Sequence, residues 1–171
     1  ASGQILHSIP AAEGDQLNDI SVSAIGEIYV SASGGGKVYK IENDGLVEYL
    51  NFPDARPNGV FAVKDSLLVL TSGTSNMYSV KYATLDPILL ANNLGHADGI
   101  VPVGDGGYLA SNWAGGLYYI NALAGVDTLS YTTGVKFNTA DIEYVIKDKL
   151  LLVPTFFDNR VVAYWLIEQE K

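Results

Sequence analysis

Four oxygen-bearing side chains recur through this 171-residue chain at nearly equal intervals: Asn18, Asn58, Asp98 and Asp141, separated by 40, 40 and 43 positions. Amide and carboxylate oxygens are hard donors, the set that suits Ca²⁺ or Mg²⁺. Brought together on adjacent elements, Asn58 and Asp98 would offer such an environment to one divalent cation, and the Asp98 carboxylate would also accept a proton from a water or a polarised substrate. Asn-Gly and Asp-Gly pairs are ordinary turn formers as well. It is the shared register of all four that favours a common site over four separate turns.

Glu143 belongs to the same set of candidates. Counted from the markers, its equivalents are Ile20, Val60 and Ile100, all apolar, so an acid there breaks the repeat and is costly to bury without a partner. The alternative is a hydrated residue at the rim. Other chemistry is thinly represented. His7 and His96 are the only histidines, neither with a ligand partner at short spacing. Ser33-Gly34-Gly35-Gly36-Lys37-Val38 lacks the first Gly and the final Ser or Thr of a phosphate loop and reads as a hairpin turn. The absence of cysteine excludes disulfides, thiolate metal sites and cysteine nucleophiles.

A repeat of strands must position these residues. A second marker keeps the same register: a hydroxyl residue ends an apolar run at Ser31, Thr71, Ser111 and Thr155, spaced 40, 40 and 44. Periods of about 40 to 45 residues fit four-stranded propeller blades and also helical repeats. Strand chemistry decides for the blades, because runs such as Glu27 to Val30, Leu67 to Leu70 and Leu150 to Val153 alternate with Gly-rich or Asn/Asp-rich breaks. The first copy predicts strands at Ile20 to Ser23, Glu27 to Ser31, Lys37 to Ile41 and Leu46 to Leu50. The last copy reaches only a third strand, within Arg160 to Ile167, whereas residues 4–9 read as an extra strand ahead of the first marker. That strand belongs to a preceding blade or closes the last one. The aromatics Trp113, Tyr118, Tyr119, Phe156 and Phe157 are expected to pack between blades, with Trp113 a candidate for the channel mouth.

Composition bounds the partners. With 48% apolar and 17% charged residues the chain is of the globular class. Its 19 acidic against 10 basic residues give a formal charge of -9, without a basic run that would track nucleic acid or an anionic membrane. No apolar stretch approaches the roughly 18 residues needed to span a bilayer. Neutral ligands and cations are the expected partners, and the compartment stays open. The start at Ala1, without Met, suggests a processed or truncated product.

At its markers, Leu17-Asn18-Asp19, Pro57-Asn58-Gly59, Ala97-Asp98-Gly99-Ile100 and Ala140-Asp141-Ile142-Glu143, together with Ile28-Tyr29-Val30-Ser31, the sequence resembles the six-bladed propellers of the senescence marker protein, gluconolactonase and luciferin-regenerating enzyme family. The resemblance implies an all-β propeller whose four blades, at about residues 17–56, 57–96, 97–139 and 140–171, correspond to the last four of six. A closed four-bladed ring, or a ring completed by self-association, are the alternatives. It further implies a divalent-metal-dependent hydrolase of the lactonase or esterase type acting on a small neutral lactone or ester. The cation would be Ca²⁺ first, then Mg²⁺, Mn²⁺ or Zn²⁺, held by Asn58, Asp98 and Asn18. Asp98 would be the general base with Glu143 as a second catalytic candidate, and Asn18, Asp141 and Trp113 would line the channel. Gln16 stands where sugar-lactone members carry a substrate-contacting Arg, which argues against a gluconolactone-type substrate. A propeller that binds a ligand or a protein without catalysis is the other functional reading.

Overall fold

The structure, a computed structural model, describes residues 3–132, 134 and 137–167. Its strands fall into four antiparallel sheets in chain order. Blade 1 holds β1 (Leu17–Val22), β2 (Ile28–Ala32), β3 (Lys37–Glu42) and β4 (Gly45–Asn51); blade 2 holds β5 (Pro57–Ala62), β6 (Ser66–Thr71), β7 (Asn76–Lys81) and β8 (Pro87–Ala91). Blade 3 holds β9 (Ala97–Pro102), β10 (Tyr108–Asn112), β11 (Gly116–Ile120) and β12 (Val126–Tyr131). Blade 4 holds β13 (Glu143–Val145), β14 (Leu150–Pro154) and β15 (Val161–Trp165). Each sheet is an up-and-down meander, the arrangement expected of a propeller blade. The strands expected in the first copy are all present, and β1 begins three residues early because the marker itself is part of the strand. Residues 4–9, expected as a strand, join no sheet.

The second strand of each blade explains the fold's long apolar runs. Every residue of β6 is buried, because its two faces pack on different neighbours. Leu67 and Val69 join Tyr29, Val38, Leu50 and Val60 in the cluster between blades 1 and 2. Leu68 and Leu70 turn the other way and join Met77, Ala97, Ile100 and Ile120 between blades 2 and 3. A third cluster, with Val101, Leu109, Leu117, Ile142, Tyr144, Leu151 and Val153, joins blades 3 and 4. A strand buried on both faces cannot show polar alternation, so the continuous Leu67-Leu68-Val69-Leu70 is what this position requires. The fourth strands lie outermost and alternate poorly because little covers them: β8 and β12 are mostly exposed.

Face-to-face sheets thus leave the first strand of each blade innermost. β1 runs beside β5, β5 beside β9 and β9 beside β13. The starts of these strands, and the loops after β2, β6, β10 and β14, lie at one end of the arc, as antiparallel pairs such as Leu17 with Ala32, Pro57 with Thr71 and Ala97 with Asn112 require.

Candidate functional site

The recurring Asn and Asp residues occupy a repeated backbone irregularity. In blades 1, 2 and 3 the pairing of the first strand shifts by one residue between Leu17 and Ile20, Pro57 and Val60, and Ala97 and Ile100. The extra residue forms a bulge, a device that bends a strand and redirects a side chain. In blades 1 and 3 the second marker fastens it, whereas Thr71 bonds Thr74 and the Asn76 backbone in its own turn. Ser31 Oγ accepts the Asp19 N–H at 3.0 Å, and Ser111 Oγ accepts the Gly99 N–H at 2.8 Å while donating to the Ala140 carbonyl at 2.5 Å. All four hydroxyl markers are buried, Ser31, Thr71 and Ser111 completely. In blades 1 and 3 two motifs that share a period in sequence are therefore two halves of one structural device.

Glycine follows the marker where neighbouring inner strands crowd. A Cβ on Gly59 would overlap the Asp98 carbonyl, and one on Gly99 would meet Asp141 Oδ1 and the Ile142 nitrogen. Blade 1 has Asp19 in that place. Its carboxylate crosses to blade 2, where Oδ2 accepts the Val60 N–H at 2.7 Å, and Oδ1 accepts its own neighbour's N–H, on Ile20, at 2.7 Å. Ser21 repeats the crossing, its Oγ accepting the Ala62 N–H at 2.9 Å. Asp19 was not among the sequence candidates. A carboxylate standing where two other copies have Gly was the available signal.

These positions gather charge at one end of the arc. Burial, then the nearby Asp141 carboxylate, raises the Asp98 carboxyl to about 6; Asp19 adds to the effect, and a hydrogen bond from the Asn58 side chain offsets part of it. Asp19 is also raised to about 6, again by burial first, against the Val60 hydrogen bond that lowers it and with Asp141 raising it. Asp141 is raised by burial, offset by the Ile142 N–H that its Oδ1 accepts at 3.1 Å. Three carboxyls from three blades thus sense one another across the inner strands. Asn58 Oδ1 is buried and accepts no hydrogen bond. Asn18 is exposed, and its amide nitrogen donates to Ser33 Oγ at 3.2 Å, which leaves its oxygen as an acceptor.

Not every expected site residue joins this group. Glu143 is exposed, on the face of β13 opposite the buried Ile142 and Tyr144, which pack against blade 3. Its equivalence to Val60 and Ile100 fails because the last spacing is longer and β13 pairs in regular register from Glu143 with Leu152. Trp113 lies at the same end as the markers, its N–H bonded to the His96 carbonyl at 2.9 Å. Phe156 and Phe157 of blade 4 reach across to Trp113 of blade 3, a contact between blades at the exposed end rather than in the buried clusters. They meet Trp113 edge-on, with centroids 4.7 and 6.0 Å away, and are 58% and 67% exposed. Tyr118 is buried between blades 2 and 3, and Tyr119 is partly buried against the cluster of blades 3 and 4.

The donor set fits a hard cation only if amides take part. Among the described residues no three His, Cys, Asp or Glu side chains gather closely enough to hold a metal. The orphaned Asn58 oxygen beside the Asp98 carboxylate is the element of the site that a cation would satisfy, with the Asn18 oxygen and waters completing a Ca²⁺-type shell.

Comparisons with known proteins address the fold. No family model and no curated protein matches the sequence. Among solved structures, the chain is similar to a streptogramin B lyase (12% identity, 91% of this chain and 57% of that one, TM-score 0.67). It is also similar to virginiamycin B lyase from Staphylococcus aureus (12% identity, 91% and 54%, TM-score 0.72). A third likeness is to a chain of the nidogen/laminin complex (9% identity, 89% and 61%, TM-score 0.76). The chain therefore spans a little over half the length of these structures. The narrower resemblance to the gluconolactonase-type family finds no support among them. What they share with this chain is the β-propeller, here an arc of four successive blades.

Proposed function

We propose that the marker end of the arc binds one divalent cation, Ca²⁺ first among them, and hydrolyses a small neutral lactone or ester. The observation that carries this reading is the buried, unpartnered Oδ1 of Asn58 next to Asp98. A buried acceptor left without a donor costs about 1 to 3 kcal/mol, and a hard cation relieves that cost. When bound, the cation supplies Lewis-acid polarisation of a carbonyl and a more acidic water. Asp98 supplies the base. In the cation-free fold burial raises its carboxyl to about 6, so it is ionised at neutral pH and able to accept a proton; a cation bound to it would lower that value. Asp19 and Asp141 sustain that basicity, and together with Asp98 they repel anionic substrates, which is why the substrate is assigned as neutral.

The test is hydrolysis of a panel of aliphatic and aromatic lactones and esters with added Ca²⁺, Mg²⁺, Mn²⁺ or Zn²⁺, and with chelator. Metal-dependent turnover that falls at least about 100-fold in Asp98→Asn, the usual scale for a general base, supports the proposal. Turnover indifferent to chelator and to Asp98→Asn refutes it. The second reading, a non-catalytic ligand-binding module, is favoured by the exposed Phe156 and Phe157, which pack on the partly buried Trp113 at the same end. It predicts cation or ligand binding with no turnover of any member of the panel.

A further inference from the structure

The loops that join the second and third strands of each blade all lie at the marker end, and their chemistry divides that end in two. In blades 1 and 2 they are small and polar, Ser33-Gly34-Gly35-Gly36 and Ser72-Gly73-Thr74-Ser75. Gln16 and Arg56 continue the polar rim, Arg56 Nη2 donating to Gln16 Oε1 at 3.5 Å. In blades 3 and 4 the loops instead carry large rings, Trp113 in one and Phe156 and Phe157 in the other. These two loops meet, and their three rings stand mutually edge-on, Phe156 and Phe157 with centroids 4.8 Å apart. The comparison is among repeats of one chain and the contact lies between two of its blades, so neither depends on what adjoins the arc.

This aromatic wall is firmly held. Phe156 has a backbone φ of 44°, a left-handed conformation that bulky residues rarely adopt, and Asn or Gly would make the same turn with less strain. Hydrogen bonds fix the turn nonetheless. Thr155 Oγ1 accepts the Arg160 N–H at 3.2 Å, the Thr155 carbonyl accepts the Asp158 N–H at 3.1 Å, and Arg160 pairs with Asp158 while lying over the Phe137 ring. Asn138 anchors the other loop, its Nδ2 donating to the Trp113 carbonyl at 2.6 Å. A strained backbone that holds an exposed apolar ring points to a role for the ring outside the fold's own packing.

The blades that supply Asp98 and Asp141 are also the ones that supply the rings. Trp113 is bonded through its N–H to the carbonyl of His96, two residues ahead of Asp98, and its neighbour Asn112 pairs with Ala97. The carboxylates at this end disfavour an anion, and the Asp158–Arg160 pair in the turn cancels its own charge. What three rings gain from a ligand is burial of hydrocarbon.

We infer that the wall of Trp113, Phe156 and Phe157 receives an apolar substituent, alkyl or aryl, of a neutral lactone or ester whose carbonyl lies toward Asn58 and Asp98. The substrate so defined is amphiphilic, with its polar end on the side of blades 1 and 2 and its hydrocarbon on blades 3 and 4. The inference rests on the proposed function for the reacting group, whereas the apolar subsite is open to a test by binding alone.

Fluorescence titration provides that test. The chain has two tryptophans, so Trp165→Phe leaves Trp113 as the only one. With Ca²⁺ present, the emission of this variant is followed as γ-lactones are added whose side chain grows from methyl to hexyl. The expected result is an affinity that rises about two- to fourfold per methylene, the scale of burying it. Phe156→Asn, which suits the left-handed turn, and Phe157→Ser are each expected to weaken binding of the hexyl lactone at least about tenfold. Leu123→Ser, at a 94% exposed residue in the turn between β11 and β12 at the opposite end, is expected to change nothing. No change of emission with any lactone, affinity indifferent to chain length, or a length dependence that survives both Phe substitutions overturns the inference. So does tighter binding of benzyltrimethylammonium than of the hexyl lactone, which would make the wall a site for organic cations. Length-dependent binding without hydrolysis would refute the proposed activity and leave the subsite standing, and hydrolysis with affinity indifferent to chain length would do the reverse.

Discussion

At the scale of single residues, the chain concentrates cost where it concentrates chemistry. Asp19 and Asp98 are held at about 6 against an ordinary 3.8, so the folded protein binds protons more tightly than the unfolded chain between those values. Their contribution to stability is complete below pH 3.8 and is lost as pH rises through 6. Thermal melts between pH 4 and 7 should therefore show these two groups destabilising the fold progressively. Asp98→Asn should flatten the slope and raise stability at pH 7 by on the order of 1 to 3 kcal/mol; an unchanged slope would show that the carboxyl titrates normally. Asn58 and Asp98 were legible in the sequence because their register repeats. Asp19 was not, since the position is set by how closely two inner strands approach, a distance no spacing encodes. The exposure of Glu143 was not legible either, because β13 lacks the bulge of the other first strands and one residue more or less in a strand reverses which face each side chain takes.

At the scale of elements, the propeller rests on bulged first strands, clamped by buried hydroxyls in blades 1 and 3, and on second strands packed from both sides. Ser111 serves two strands at once, accepting from Gly99 and donating to the Ala140 carbonyl that leads into blade 4. Ser111→Ala would leave both backbone groups unpaired, and urea denaturation should show a loss of about 2 to 4 kcal/mol; a loss under about 0.5 kcal/mol would mean that the clamp is dispensable. Gly59→Ala should cost about 2 kcal/mol or more by forcing blades 2 and 3 apart at the Asp98 carbonyl. Leu68→Ala, in the cluster between those blades, should cost about 2 to 5 kcal/mol. Strand positions were readable to within a few residues because Gly and Asn/Asp breaks bracket every apolar run. What the runs could not disclose was the pairing of Ser31 with Asp19 or Ser111 with Gly99, which turns two parallel periodicities into one hydrogen-bonded device.

At the scale of the whole molecule, four blades set their inner strands side by side, so that residues as distant in sequence as Asp19 and Asp141 influence each other's ionisation. This convergence makes the marker end a single electrostatic site, and it follows from the 40-residue period alone once the period is recognised as blades. The three strands described in the last blade were legible in the sequence, whose last copy reaches only a third strand, whereas the exposure of Ile20 and Val22 on blade 1 is seen only in the structure. The central claim is that the orphaned Asn58 oxygen and the Asp98 carboxylate await a hard cation. Calorimetric titration of the chain with Ca²⁺ at pH 7 tests it most directly. The account predicts saturable binding at one site per chain, weakened at least about tenfold by Asn58→Ala and by Asp98→Asn, a loss of about 1.4 kcal/mol or more. Absence of binding, or binding that both substitutions leave unchanged, would contradict it.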